Sequence, residues 1–236
     1  MKIENTRSIK ENKIKCVAYG PSGAGKTTLI KTLKEEGFNP FAINLESGFL
    51  SIAGIDIDYV DATKDDEGKP LQKHEKLGRL MDCYKYVLTP EAMKKYDTIV
   101  VDSLSEVSSV MFDAIRKEYP DMKDNLVAYG LLAQKMKDFL RALRDIPNYH
   151  VVFICLSKVE KDQDGRRFAA VEMIGSISDK LAGFVDEFLY LRVNDKEERE
   201  LVCSSTGAII AKDRSGRLDK IEPANLGKIF KKILGK

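Results

Sequence analysis

The chain contains no tryptophan, and only two histidines and four cysteines among its 236 residues. The cysteines, Cys16, Cys83, Cys155 and Cys203, form no C-x-x-C pair, so no zinc-site spacing is present. Cys16 and Cys155 lie in apolar runs and read as buried thiols, a usage suited to a reducing cytoplasm. His74 sits in a lysine-rich polar stretch and His150 abuts a strand start; neither has a matching ligand set. No apolar run approaches the ~18 residues that a membrane-spanning helix needs. The opening MKIENTRSIKENK lacks an apolar core, so no signal peptide is expected. No internal repeat, low-complexity segment or long linker interrupts the chain, which reads as one domain with an N-terminal extension at 1–13. Charge is nearly balanced, with 39 basic and 37 acidic residues and a net +2. That total neither demands nor excludes nucleic acid; a local basic patch says more.

What is present is an alternation. Short apolar runs, IKCVAY (14–19), FNPFAINL (38–45), YDTIVVD (96–102) and HVVFICL (150–156), read as buried strands. IDIDYVDA (55–62) reads as an edge strand. Amphipathic segments separate them, at about 26–36, 71–96 with a break near Pro90, 104–119 and 129–146. A polar, basic loop is expected at 157–168 and a short helix at 176–183. DEFLYLRV, RELVCSS and GAIIAKD then follow as strands, and a helix at 223–234 closes the chain. Strand and helix in turn imply a mostly parallel sheet covered by helices on both faces. The quick succession of strands in the last third implies antiparallel pairing there.

The turn after the first strand is GPSGAGKTT, residues 20–28, and it matches G-x-x-x-x-G-K-[ST] without a mismatch, between a strand and a helix. Its chemistry explains its spacing. Gly23 and Gly25 permit backbone conformations that aim successive N–H groups at a polyphosphate lying on a helix N-terminus. The cradle is therefore Gly20, Pro21, Ser22, Gly23, Ala24, Gly25, Lys26, Thr27 and Thr28. Lys26 would reach the β- and γ-phosphates, and Thr27 would offer its hydroxyl to Mg²⁺. TIVVDS supplies a second metal-side group, Asp102, at the end of a buried strand; a helix N-cap is its plainer alternative. The residue after Asp102 is Ser103, where many P-loop ATPases carry the catalytic glutamate. The base must then come from Glu46, which ends AINLE, or from Glu106, a turn further on.

At this point the chain resembles the RecA-like ATPases. Their strands end in a P-loop, a glutamate, a Walker B aspartate and a polar sensor; here these are GPSGAGKTT, AINLESGFL, TIVVDSLSE and HVVFICLSK. The resemblance spans roughly residues 14–215. It implies an α/β RecA-like P-loop NTPase core with Mg²⁺ and ATP as cofactors. Glu46 would polarise the attacking water, Asp102 would orient magnesium, and Ser157 or Lys158 would sense the γ-phosphate. AKDRSG (211–216) resembles the segment that donates basic fingers, Lys212 and Arg214, to a neighbouring subunit's ATP. The compact length and the runs YGLLAQKMKDFLRAL and EMIGSISDKLAGFVDEFLYLRV resemble the small phage-encoded RecA-like proteins of single-strand annealing. That narrower resemblance implies single-stranded DNA and a single-stranded-DNA-binding protein as partners, a homo-oligomeric ring or filament, and a cytoplasmic setting. The loops that meet DNA would fall at about 116–128 and 157–175. The second holds Lys158, Lys161, Arg166 and Arg167 beside Phe168, the residue types that track a phosphate backbone and stack a base. A P-loop kinase and a helicase or packaging motor are the competing classes.

Overall fold

The computed structural model describes residues 13–46, 48–122, 124–175 and 177–236, with nothing said of the Asp179 side chain. Of the expected N-terminal extension, all but Lys13 lies outside these residues.

The core strands are β1 (Lys15–Gly20), β2 (Pro40–Asn44), β3 (Asp58–Asp61), β4 (Thr98–Asp102), β5 (His150–Lys161) and β7 (Glu187–Val193). They pair in the order β3-β2-β4-β5-β1-β7, all in parallel. Three strands close the far side antiparallel: β8 (Arg199–Val202) on β7, β10 (Ile221–Pro223) on β8, and the short β9 (Lys212–Asp213) on β7. The P-loop strand β1 is thus separated from the Asp102 strand β4 by β5, and Glu46 follows the strand on the other side of β4.

Alternation within the strands sorts side chains to two cores. Val17, Tyr19, Ile99, Val101, Val151 and Phe153 face one layer, formed by α2 (Lys73–Val87), α3 (Pro90–Lys95), α4 (Leu104–Glu118) and α5 (Asn125–Arg144). Cys16, Ala18, Val100, Val152 and Ile154 face the other, formed by α1 (Thr28–Glu35) and α6 (Leu226–Leu234). Both faces of these strands are buried, so the runs are continuously apolar. Each fully buried Val, Ile or Phe contributes ~1.5–3 kcal/mol of transfer free energy. All four cysteines are buried and unbridged. His150 is buried and neutral: its Nδ1 accepts the Ile14 amide at 3.0 Å, and burial lowers its pKa to about 3.

Four segments depart from the sequence expectation. The basic loop at 157–168 is instead a hairpin. β5 runs on to Lys161 and pairs antiparallel with β6 (Arg167–Val171), so only residues 162–166 turn. Asp162 makes that turn by accepting the amides of Asp164 and Arg166, at 2.9 and 2.8 Å. α5 begins at Asn125, four residues before the expected 129, because Asp124 caps it by accepting the Leu126 amide at 2.7 Å. GAIIAKD forms only the two-residue β9 and one isolated bridge, Ala169 to Ile209. The segment expected as a helix at 176–183 is a 3-10 turn, Ser178–Gly183.

Candidate functional site

Parallel pairing brings the C-terminal strand ends to one rim. Gly20 aligns with Leu156, Asp102 with Ile154, and Asn44 with Asp102. In open α/β sheets, the crevice at this rim is where ligands bind. The P-loop, Leu45–Glu46, Asp102–Ser103 and Ser157 therefore converge here.

Within the P-loop, Gly23 (φ 77°) and Gly25 (φ 96°) occupy the left-handed region that the motif's glycines were expected to supply. Gly20 has a different reason: a Cβ there would lie 2.4 Å from the Leu191 carbonyl oxygen of β7. Lys26 is buried, and its ammonium donates to the Pro21 carbonyl at 2.8 Å across the loop. Burial lowers its pKa, opposed by Asp102 and Glu46.

The Thr27 hydroxyl donates to Asp102 Oδ2 at 2.7 Å, so the two residues expected to serve a metal touch each other. Asp102 is only 3% exposed. Burial pushes its carboxyl up to about 6 against the pull of Thr27 and Lys26, and Glu46 pushes the same way as burial. A buried carboxylate in this position is stabilised by a cation. Hydroxyl and carboxylate oxygens beside a phosphate cradle are the hard donors that Mg²⁺ prefers. The residues present fit both a nucleotide phosphate chain and its magnesium.

Ser103, the residue after Asp102, is fully buried. Its hydroxyl donates to Glu46 Oε1 and accepts the Glu106 amide at 3.2 Å, capping α4. One side chain thus serves as helix cap and as anchor for a carboxylate from the neighbouring strand. Glu106 is occupied differently: Lys76 Nζ lies 3.0 Å from its Oε1, with both side chains mostly buried. Glu46 and Glu106 line two clefts. One of about 590 Å³ adds Lys64, Leu71 and Lys76; the other, of about 430 Å³, adds Lys158, Glu172 and Met173. Of the two sensor candidates, Lys158 shares the second cleft with Glu46. Ser157 pairs with Val171 across the hairpin.

The remaining candidates lie away from this centre. Lys212 and Arg214 sit at the opposite rim, beside the N-terminal end of β7. Lys212 donates to the carbonyls of Ala182 and Val185, at 2.7 and 2.8 Å, and Arg214 pairs with Asp186 at 2.7 Å. On the hairpin, Lys158 pairs with Glu160 at 2.6 Å, and Arg166 lies 3.7 Å from Asp164. Lys161 and Arg167 face each other across the two strands, and neither has an ion-pair partner among the described residues.

Sequence reasoning did not single out Arg199. Its side chain lies over Gly25, although its chain position, at the start of RELV, carries no motif. The anchoring role of Ser103 was equally hidden, because it depends on two strands being neighbours.

A family model described as AAA domain (AAA_24) matches residues 12–215. The chain belongs to the AAA domain family. That family, together with the P-loop, makes it a P-loop ATPase. Among solved structures it is similar to one titled "Crystal structure of the RadB recombinase", with 16% identity, 81% of this chain and 80% of that chain covered, and a TM-score of 0.43. A comparison with curated protein sequences finds no match. No helix among the described residues is long and apolar enough to cross a membrane.

Proposed function

We propose that this AAA domain is a single-domain, Mg²⁺-dependent ATPase that acts on single-stranded DNA in recombination or single-strand annealing of the phage type. The observation that carries the ATPase half is the convergence of Lys26, the Thr27–Asp102 pair and the Ser103-anchored Glu46 on one rim. In this reading Lys26 and the loop amides bind phosphate, Thr27 and Asp102 hold magnesium, and Glu46 takes the proton of the attacking water. Magnesium, when bound, neutralises charge developing on the phosphoryl oxygens. Lys158 is favoured over Ser157 as the γ-phosphate sensor because it shares a cleft with Glu46.

The DNA half is supported by Lys161 and Arg167, two cations left unneutralised face to face on an exposed hairpin, with the exposed Val159 on the same strand face. Unpaired basic side chains on a projecting ribbon suit a phosphate backbone. Assembly into a ring or filament, with a single-stranded-DNA-binding protein as partner, completes the proposal. Arg214 is the better trans-acting candidate, because its half-exposed pair with Asp186 can be exchanged, whereas Lys212 is taken up by two carbonyls.

The test is ATP hydrolysis with and without single-stranded DNA, at several protein concentrations. Stimulation by DNA and a superlinear rise with concentration are expected. A rate flat in both would contradict the proposal. A kinase is the second reading, favoured by the 590 Å³ cleft beside Glu46, where the half-exposed Lys64 could meet an acceptor. It predicts phosphate transfer to a small molecule and no effect of DNA.

A further inference from the structure

The β7–β8 hairpin passes close to the P-loop at two of its glycines. At the first glycine of the motif, β7 comes so near that a Cβ on Gly20 would lie 2.4 Å from the Leu191 carbonyl oxygen. At the last glycine, a Cβ on Gly25 would lie 2.9 Å from Arg199 Nε and 3.2 Å from its Cζ. The guanidinium therefore lies on the loop residue that directly precedes Lys26.

This placement has support from the backbone. Arg199 begins β8, opposite Val193, and its carbonyl accepts the Ala224 amide at 3.3 Å. The turn before it is closed by Asn194, whose Oδ1 accepts the amides of Lys196 and Glu198, at 2.9 and 3.0 Å. The charges beside it are already satisfied. Glu200 pairs with Arg192 at 2.7 Å, and Glu198 accepts a bond from Asn194 at 3.3 Å. Arg199 itself is exposed and has no ion-pair partner among the described residues. A guanidinium with five donors and no ion-pair partner, on a residue whose backbone the sheet holds, sits against the loop that the nucleotide reading assigns to a polyphosphate.

We propose that Arg199 is a nucleotide-binding residue that acts within its own subunit, pairing through its guanidinium with the phosphates shared by ADP and ATP. The inference rests on the nucleotide-binding reading given above and extends it. It places one arginine of the site in the same chain as the P-loop, so its contribution to binding needs no neighbour.

The experiment is calorimetric titration of the full chain with Mg²⁺–ADP and with Mg²⁺–ATP. It compares the unaltered protein with Arg199→Gln, which keeps most of the side-chain length, and Arg199→Ala, with a thermal melt for each. Both variants are expected to fold and to bind ADP and ATP about 10- to 100-fold more weakly, the size of a lost charge-assisted contact. The deficit should shrink as salt rises from ~0.05 to ~1 M, because the lost contact is electrostatic. Affinities within two-fold of the unaltered protein would overturn the inference while leaving the nucleotide site standing. A deficit equally large at high salt would also overturn it, since that is what misshaping the loop would cause. If the unaltered chain binds neither nucleotide, the nucleotide reading itself fails and the inference falls with it.

Discussion

Two buried acidic positions, at opposite ends of the same parallel sheet, behave alike electrostatically and differ in everything else. At the C-terminal rim, Asp102 is pushed up to about 6, by burial first. At the N-terminal rim, Glu187 is 1% exposed and pushed up to about 8, by burial first and then by Asp213. Asp102 is surrounded by polar groups: Thr27 on its oxygen, and Lys26 and Glu46 nearby, beside the glycine loop. Glu187 is enclosed by structure. One oxygen accepts the Ser215 amide at 3.3 Å, and the other has no hydrogen-bond partner among the described residues. A displaced pKa alone does not mark a site. The surrounding donors decide: at the C-terminal rim a hydroxyl donates to the carboxylate itself, whereas at the N-terminal rim the Lys212 ammonium is taken up by two backbone carbonyls.

Substitutions that remove the negative charge at each rim should separate the two. The largest effect is expected for Asp102→Asn: ATP turnover falls by about 10²-fold or more in a steady-state assay, because the metal loses its carboxylate. The corresponding change at the other rim, Glu187→Gln, should leave turnover unchanged. If both variants lose activity, the contrast between the rims is wrong. Next in size, Lys26→Ala should weaken ATP binding by about 10- to 100-fold, the worth of a charge-assisted hydrogen bond in a partly buried site. Unchanged affinity would detach Lys26 from the phosphate.

A smaller effect is thermodynamic. The folded pKa of Glu187 is raised above its ordinary value of 4.5, so the neutral form favours folding. Its contribution is fully present below pH 4.5 and is lost as pH rises through about 8. Glu187→Gln should therefore flatten that part of the stability profile and raise stability at pH 9 by on the order of 1 kcal/mol, read from urea melts. Equal pH profiles for the two proteins would mean that Glu187 is ionised at neutral pH. The smallest effect is on the hairpin. Lys161→Ala and Arg167→Ala should each weaken single-stranded DNA binding a few-fold and reduce the salt slope by roughly 0.7, the single-strand value per phosphate contact. An unchanged slope would remove the hairpin from the DNA path.

The P-loop rim was more legible in the sequence than the elements around it. GPSGAGKTT carries its own geometry, since left-handed glycines and a helix start are local requirements. TIVVDS and AINLE were legible because an apolar run ending in a carboxylate has few placements in a parallel sheet. That β2 pairs with β4, with Asn44 opposite Asp102, follows from the same logic. The hairpin at 157–171 was missed because SKVEK alternates charge with a single valine and reads as polar loop. Its pairing with RFAAV depends on a contact between strands. The start of α5 was missed because NLVAYG ends in a glycine, although Asp124 had the chemistry of a cap. The sequence signalled neither Arg199 nor the bond from Ser103 to Glu46, since each joins residues brought together only by the sheet.

That last bond carries the central claim, that the serine after Asp102 holds a base supplied by the neighbouring strand. The direct measurement compares ATP hydrolysis by Glu46→Gln and Glu106→Gln, with ATP affinity determined for both. Glu46→Gln should bind ATP normally and hydrolyse it ~10²–10⁴-fold more slowly, the usual worth of a general base. Glu106→Gln, whose carboxylate is committed to Lys76, should retain most of its turnover. Loss of hydrolysis in Glu106→Gln with full activity in Glu46→Gln would contradict the claim.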